Sequence, residues 1–311
     1  MRHIAGAVVL ALAAAIVFGQ APQQLPVMVG TLLVTDNLDK NEEFYHELLG
    51  LQSRDGDPRA RLEWYPVSPF LTDMYGVPGN SRNYFLRIPG SEMVLEPEQF
   101  NLAAGKALHP RLQDPGAAYL ILYANNMNVL VDRLAKGGAK IIDRGAREAW
   151  IQDFNGFYVK LVQRDVQRQP GSAPPTTYIT GVDVGVTVGD MAKTTAFYRE
   201  MLGLQASPAT EGNLKGMAYS ESVVAMPDKT PQIHLLEFKV ADRKPIHPKV
   251  ADPNSILLRL NVARLDPMIP KIPSLGGKIM NLGGGPFVNG RNRWLIVADP
   301  NEIHLQLVER N

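Results

Sequence analysis

The groups in this chain that could do chemistry are oxygen donors and a few imidazoles. Among 311 residues there is no cysteine, which removes thiolate nucleophiles, disulfides and Cys-ligated zinc or iron–sulfur centres. A metal would have to be held by histidine, carboxylate or amide groups. Of the six histidines, His109 and His247 each precede proline in a repeated K-x-x-H-P segment and read as parts of a connection, while His46 lies on an exposed helix face. The run "GGGPF" at 284–288 reads as a turn rather than an anion nest, because no phosphate-loop lysine pattern surrounds it. Trp150 and Trp294 occupy corresponding strands and read as core filler. No Gly-x-Ser-x-Gly, H-E-x-x-H or G-x-G-x-x-G fingerprint stands in a supporting context. With 32 basic and 31 acidic side chains, the net charge of +1 gives no reason to expect nucleic acid as a partner. The partner class expected is a small molecule.

Positioning such groups falls to elements that the sequence writes twice. "EEFYHELLGLQ" (42–52) returns as "TAFYREMLGLQ" (195–205), 153 residues later. Each copy follows a β-branched run, 26–36 or 180–190, and places Phe44, Tyr45, Leu48 and Leu49, or Phe197, Tyr198, Met201 and Leu202, at helical spacing. Gly50 and Gly203 follow as left-handed caps. "KALHPRLQDPGAAYLILYA" (106–124) likewise answers "KPIHPKVADPNSILLRLNV" (244–262), and "DFNGFYVKLVQ" (153–163) answers "DPNEIHLQLVE" (299–309). The chain is therefore a tandem duplication, with "QRQPGSAPPTT" (167–177) as the linker between its halves. Its 45% hydrophobic content suffices for two cores. In the first half, helices are expected at about 38–49 and 127–136, with strands near 61–66, 82–88, 92–96, 118–123, 140–143, 149–153 and 157–163. The fourth helix carries Pro267, Pro270 and Pro273 and should be short or broken.

Ahead of the repeats, Arg2 and His3 introduce an apolar run from Ile4 to Phe18 followed by small residues, the build of an export signal. About 15 apolar residues are marginal for crossing about 30 Å of hydrocarbon. Removal of 1–21 and a periplasmic or secreted location are expected, with no membrane association afterwards.

A strand ending in V-x-D, then FY…LGL, a second strand–helix unit ending in GG, and a closing D-P-N…I-x-L-x-L-V-E, all in order, resemble the vicinal oxygen chelate superfamily. That superfamily contains the glyoxalase I, bleomycin-resistance and extradiol dioxygenase families. The resemblance covers residues 26–311 as four βαβββ modules. It implies an α+β fold of two glyoxalase-like, cup-shaped domains, 25–165 and 179–311, joined by the linker 166–178.

In catalytic members, paired modules place His and Glu side chains on one divalent metal that activates an enediolate, or oxygen and a catechol. Carried over by position, the first-strand ligand falls on Val29, or on Gly30 in a shifted register, and on Asp183. The fourth-strand glutamate falls on Glu96 and Glu237. The ligand opening the next module falls on Tyr119 and Leu257, and the final glutamate on Lys160 and Gln306. Neither half keeps the set. In the first half, Glu96, Tyr119 and Lys160 are expected to share one cup, a Glu–Lys pair beside a tyrosine hydroxyl that either orients a polar ligand, with Tyr119 as acid or base beside the cation, or is a structural ion pair. In the second, Asp183, Glu237 and Gln306 could hold a hard cation, Mg, Mn or Ca rather than Fe or Zn, or Glu237 could serve as a base. His234 and His304 are expected to turn away from the cups.

Two functions follow from the resemblance. The first is a small-organic-ligand binder with a degenerate metal site and no cofactor. The second is a lyase or ring-cleaving dioxygenase with an atypical divalent-metal site. A pure interaction module is a third reading, since the cup rims could pair two copies as a homodimer.

Overall fold

The computed structural model of the protein describes residues 26–61, 63–101, 107–165, 178–227 and 231–310. The expected export signal, 1–21, and nearly all of the expected linker, 166–177, lie outside the described residues.

Four strand–helix–strand units are laid out in chain order at 27–101, 118–163, 179–238 and 256–310. The second gives βαβββ without additions: Ala118–Ala124, helix Met127–Lys136, then Lys140–Arg144, Glu148–Gln152 and Tyr158–Gln163. Its helix has the expected bounds, because Met127, Leu130, Val131 and Leu134 form one buried stripe. In the first unit Asn37 caps the helix by accepting from the Lys40 N–H. That helix then widens, so that the Leu49 N–H bonds the Phe44 carbonyl and the Leu51 N–H bonds the Tyr45 carbonyl. In the fourth unit only Lys271–Ser274 is helical, as its prolines require. The expected strand at 61–66 shrinks to Tyr65–Pro66. A helix that the repeat gives no reason to expect follows at Pro69–Tyr75, capped by Ser68 and ended by Gly76 at φ 68°.

The units form two sheets, and each sheet draws on both halves of the sequence. In one, the first strand Val27–Val34 runs antiparallel to Ile256–Val262 and parallel to Val94–Asn101. In the other, Ile179–Thr187 runs antiparallel to Ala118–Ala124 and parallel to Ile233–Phe238. The first and fourth units therefore build one cup, hereafter the outer-unit cup, and the second and third build the inner-unit cup. This corrects the pairing within halves on which the site expectations rested. Any unit's first strand offers the same unpaired edge, so the repeat itself favours no partner.

Contacts within each half run through the helices instead. The Tyr45 hydroxyl donates to Asp153 at 3.1 Å, and the Tyr198 hydroxyl donates to Asp299 at 3.3 Å. Asp153 also accepts the Asn155 and Phe157 N–H groups, and Asp299 those of Asn301 and Ile303. Thus the FY of one unit seals the Asp turn of the next. Burial pushes both carboxyls up to about 6. Phe44 and Phe197 enter the main core, which gathers the helices and the helix-facing sides of both sheets. Smaller apolar clusters lie in the two concave faces.

Candidate functional site

The two cups have diverged. The floor of the inner-unit cup is filled by side chains: Tyr119, Ile121, Trp150, Leu214, Tyr219, Leu236 and Phe238 form one cluster on its concave face, and a cavity of about 290 Å³ remains at its mouth beside Asp183 and His234. Two glycines make room for the rings. A Cβ at Gly185 would stand 1.8 Å from Tyr119 Cζ, and one at Gly212 would stand 2.3 Å from Tyr219 Cζ. Lys160 donates to Glu148 at 3.0 Å and lies 5.3 Å from the Trp150 ring. Its (CH₂)₄ stem is buried while the charge reaches a half-exposed partner.

At the mouth of this cup stands a polar row. Asp183 accepts the Tyr123 hydroxyl at 2.5 Å and the Gln232 N–H at 2.7 Å. His234 bridges Asp183, through Nε2 at 3.3 Å, and Glu221, through Nδ1 at 2.7 Å. Burial pulls the imidazole pKa down, but the two carboxylates outweigh it and raise it above the ordinary value. Burial likewise opposes, without cancelling, the lowering of Glu221 by His234 and Lys160.

The outer-unit cup holds a cavity of about 210 Å³. Leu32, Leu71 and Leu257 supply its apolar wall, and Ser81, Glu98 and Arg259 are among its polar lining. A continuous hydrogen-bonded chain crosses the cup. Gln306 Nε2 donates to the Tyr75 hydroxyl at 2.6 Å, and Arg259 Nε donates to Gln306 Oε1 at 2.5 Å. Arg259 then reaches Glu96 Oε2 at 3.3 Å, Asn83 Nδ2 donates to Glu96 Oε1 at 2.8 Å, and the Tyr65 hydroxyl donates to Asn83 Oδ1 at 2.6 Å. Each link explains its neighbour. A bulge at Val29 turns Gly30 toward the cup opposite Arg259. A Cβ there would lie 3.8 Å from the guanidinium. Helix Pro69–Tyr75 contributes Leu71 and Tyr75 to the lining.

Glu98, two residues beyond Glu96 on the same face, is 3% exposed. Burial, and next the neighbouring Glu96, push its carboxyl up to about 8 against the lowering effects of Ser81 and Arg259. His304, two residues before Gln306, faces the same side, and both its ring nitrogens are buried with no hydrogen-bond partner among the described residues. Burial lowers its pKa to about 4, so the ring is neutral.

The sequence expectations sort accordingly. Glu96 lies in one sheet and Tyr119 with Lys160 in the other, so the expected trio does not share a cup. Asp183 and Gln306 are likewise divided between the sheets. Glu237 faces neither cup: its carboxylate accepts the Met191 N–H at 3.3 Å, at the start of the helix Met191–Leu202. Its counterpart is Gln99, whose side-chain oxygen accepts the Leu38 N–H. The true counterpart of Glu96 is His234, because Leu32 pairs with Glu96 and Gly185 pairs with His234 at the 153-residue offset. Both His234 and His304 turn into the cups, against expectation. Arg259 and Glu98 were missed altogether. Among the described residues no three His, Asp or Glu groups converge on a common metal position.

The Glyoxalase/Bleomycin resistance protein/Dioxygenase superfamily profile matches residues 181–307. A crystal structure of glyoxalase I from Zea mays superposes with a TM-score of 0.60 at 18% identity, covering 92% of this chain and 92% of that one. A putative dioxygenase from Bacillus subtilis subsp. subtilis str. 168 superposes at 0.54 with 15% identity, covering 91% and 84%. At these identities the likeness concerns the fold. No curated protein matches in sequence.

Proposed function

We propose that this chain, a member of the Glyoxalase/Bleomycin resistance protein/Dioxygenase superfamily, binds a small organic ligand in the outer-unit cup, with Arg259 as the fixed cation where metal-dependent relatives hold a divalent ion. The observation that carries this reading is the guanidinium, hydrogen-bonded between Glu96 and Gln306 on the wall of the cavity. A metal does not fit these groups. The four corresponding positions are Gly30, Glu96, Leu257 and Gln306, which supply one carboxylate and one amide. A divalent ion there would face the Arg259 charge at ion-pair distance from the same carboxylate. The inner-unit cup offers Lys160 and the enclosed Tyr119 in place of ligands, and both nitrogens of His234 are engaged by carboxylates. We take the amino-terminal segment as an export signal and the working location as periplasmic or secreted.

The test is methyl NMR of the purified protein during titration with a library of small organic fragments. Leu32, Leu71 and Leu257 methyls are expected to move together for the hits. Hits that move only methyls outside this cup would refute the reading.

A further inference from the structure

We infer that the outer-unit cup selects a small organic cation, an amine of fragment size, and that Glu98 is the carboxylate that receives it. This rests on the cup being a ligand site and adds the class of ligand. The argument is one of charge. Two carboxylates, Glu96 and Glu98, line the cavity against a single guanidinium. Arg259 is committed to Glu96 on one side and to Gln306 on the other. Glu98 is therefore left, 3% exposed, without a cation of its own. The other titratable groups lining the cavity are Tyr65 and Tyr75, both neutral acids, and Ser81 is the hydrogen-bond partner that Glu98 has.

A buried carboxyl with no counter-ion avoids its desolvation cost by staying protonated, and burial and Glu96 hold this one so, up to about 8. An ammonium entering the cavity changes that balance. Its N–H groups would donate to the Glu98 carboxylate as charge-assisted bonds, and the proton released from Glu98 would pass to solvent. Tyrosine rings in the lining also suit a cation better than an anion. A carboxylate ligand would meet two acidic side chains, and the one guanidinium in the lining already carries the Glu96 carboxylate. The cavity of about 210 Å³ is below the size that holds a drug-like molecule, so the ligand is small.

The experiment compares benzylamine, benzyl alcohol and benzoate, which share a ring and differ in charge, by calorimetry and methyl NMR at pH 7. Benzylamine is expected to bind at least about tenfold tighter than benzyl alcohol, with benzoate weakest. Calorimetry in buffers of different ionisation enthalpy should show proton release approaching one per bound amine. In Glu98→Gln the preference for amine over alcohol should vanish. The ranking and the proton release are read on the unaltered protein and do not depend on the variant. If benzyl alcohol or benzoate moves the Leu32 and Leu257 methyls as strongly as benzylamine does, the cation is overturned and the cup remains a ligand site. If none of the three moves them, both readings are overturned.

Discussion

Replacing Arg259 by methionine keeps the aliphatic stem and removes the charge, and its cost can be worked from the geometry. The guanidinium sits 3.3 Å from Glu96 Oε2 and 2.5 Å from Gln306 Oε1, with its side chain 31% exposed and that of Glu96 11% exposed. At an effective dielectric near 20, charges at such a distance attract by about 4 kcal/mol, and the partial exposure of Arg259 reduces the net share to about 1–2 kcal/mol. Losing the bond to Gln306 adds about 1 kcal/mol, giving a total near 2–3 kcal/mol. Glu96 would keep Asn83 as a partner, so the fold should survive. Urea unfolding should show a lower midpoint with an unchanged slope. The companion variant Glu96→Gln, combined with Arg259→Met, should recover about 1–2 kcal/mol of the summed losses, because the two changes remove one interaction. A single-variant loss under about 0.5 kcal/mol, or strictly additive losses, would refute the reading of Arg259 as an internal counter-ion.

Four further outcomes follow from other parts of the molecule. Gly185→Ala places a methyl against the Tyr119 ring and should cost about 1–3 kcal/mol or more in thermal or urea unfolding, whereas Gly283→Ala, with open space around it, should be nearly neutral. NMR titration should find His234 protonating with a midpoint above 6.5; because its folded pKa is raised, its contribution is complete below the unfolded value and lost as pH rises through the folded one, so a midpoint below 6.5 would contradict the Asp183 and Glu221 contacts. Asp153 and Asp299 have folded values raised from 3.8 to about 6, so stability should fall as pH rises across that window, and Asp299→Asn should flatten the fall in unfolding curves. Glu237→Ala should cost about 0.5–1 kcal/mol through the helix start it caps and leave fragment binding in the outer-unit cup unchanged.

The duplicated words made the α+β fold, the helix Met127–Lys136 and the broken fourth helix legible in the sequence. The unit pairing was not, because every unit begins with a strand able to take the same partners and only the assembled sheets choose among them. Strand faces were ambiguous for a related reason. In Ile233–Phe238 the core side takes Ile233 and Leu235 while the cup takes Leu236 and Phe238, so both faces are apolar and alternation cannot say which holds Glu237. The result was a slip that hid His234 and promoted a helix-capping carboxylate to a ligand. Arg259 carried no signal of its own in the sequence, because the family's ligand position falls on Leu257, two residues away on the same face. The helix Pro69–Tyr75 did carry a signal, a serine cap before proline and a glycine stop, but it lies in an insertion that the repeat does not share.

The most direct test of the central claim is metal stoichiometry. The purified protein is dialysed against Zn²⁺, Mn²⁺ and Ni²⁺ in turn and analysed for bound metal, with the Arg259 Nε–H signal followed by NMR in the same samples. The account predicts no stoichiometric metal and an unmoved Arg259 signal. One ion per chain, bound as Arg259 is displaced from Glu96, would contradict it.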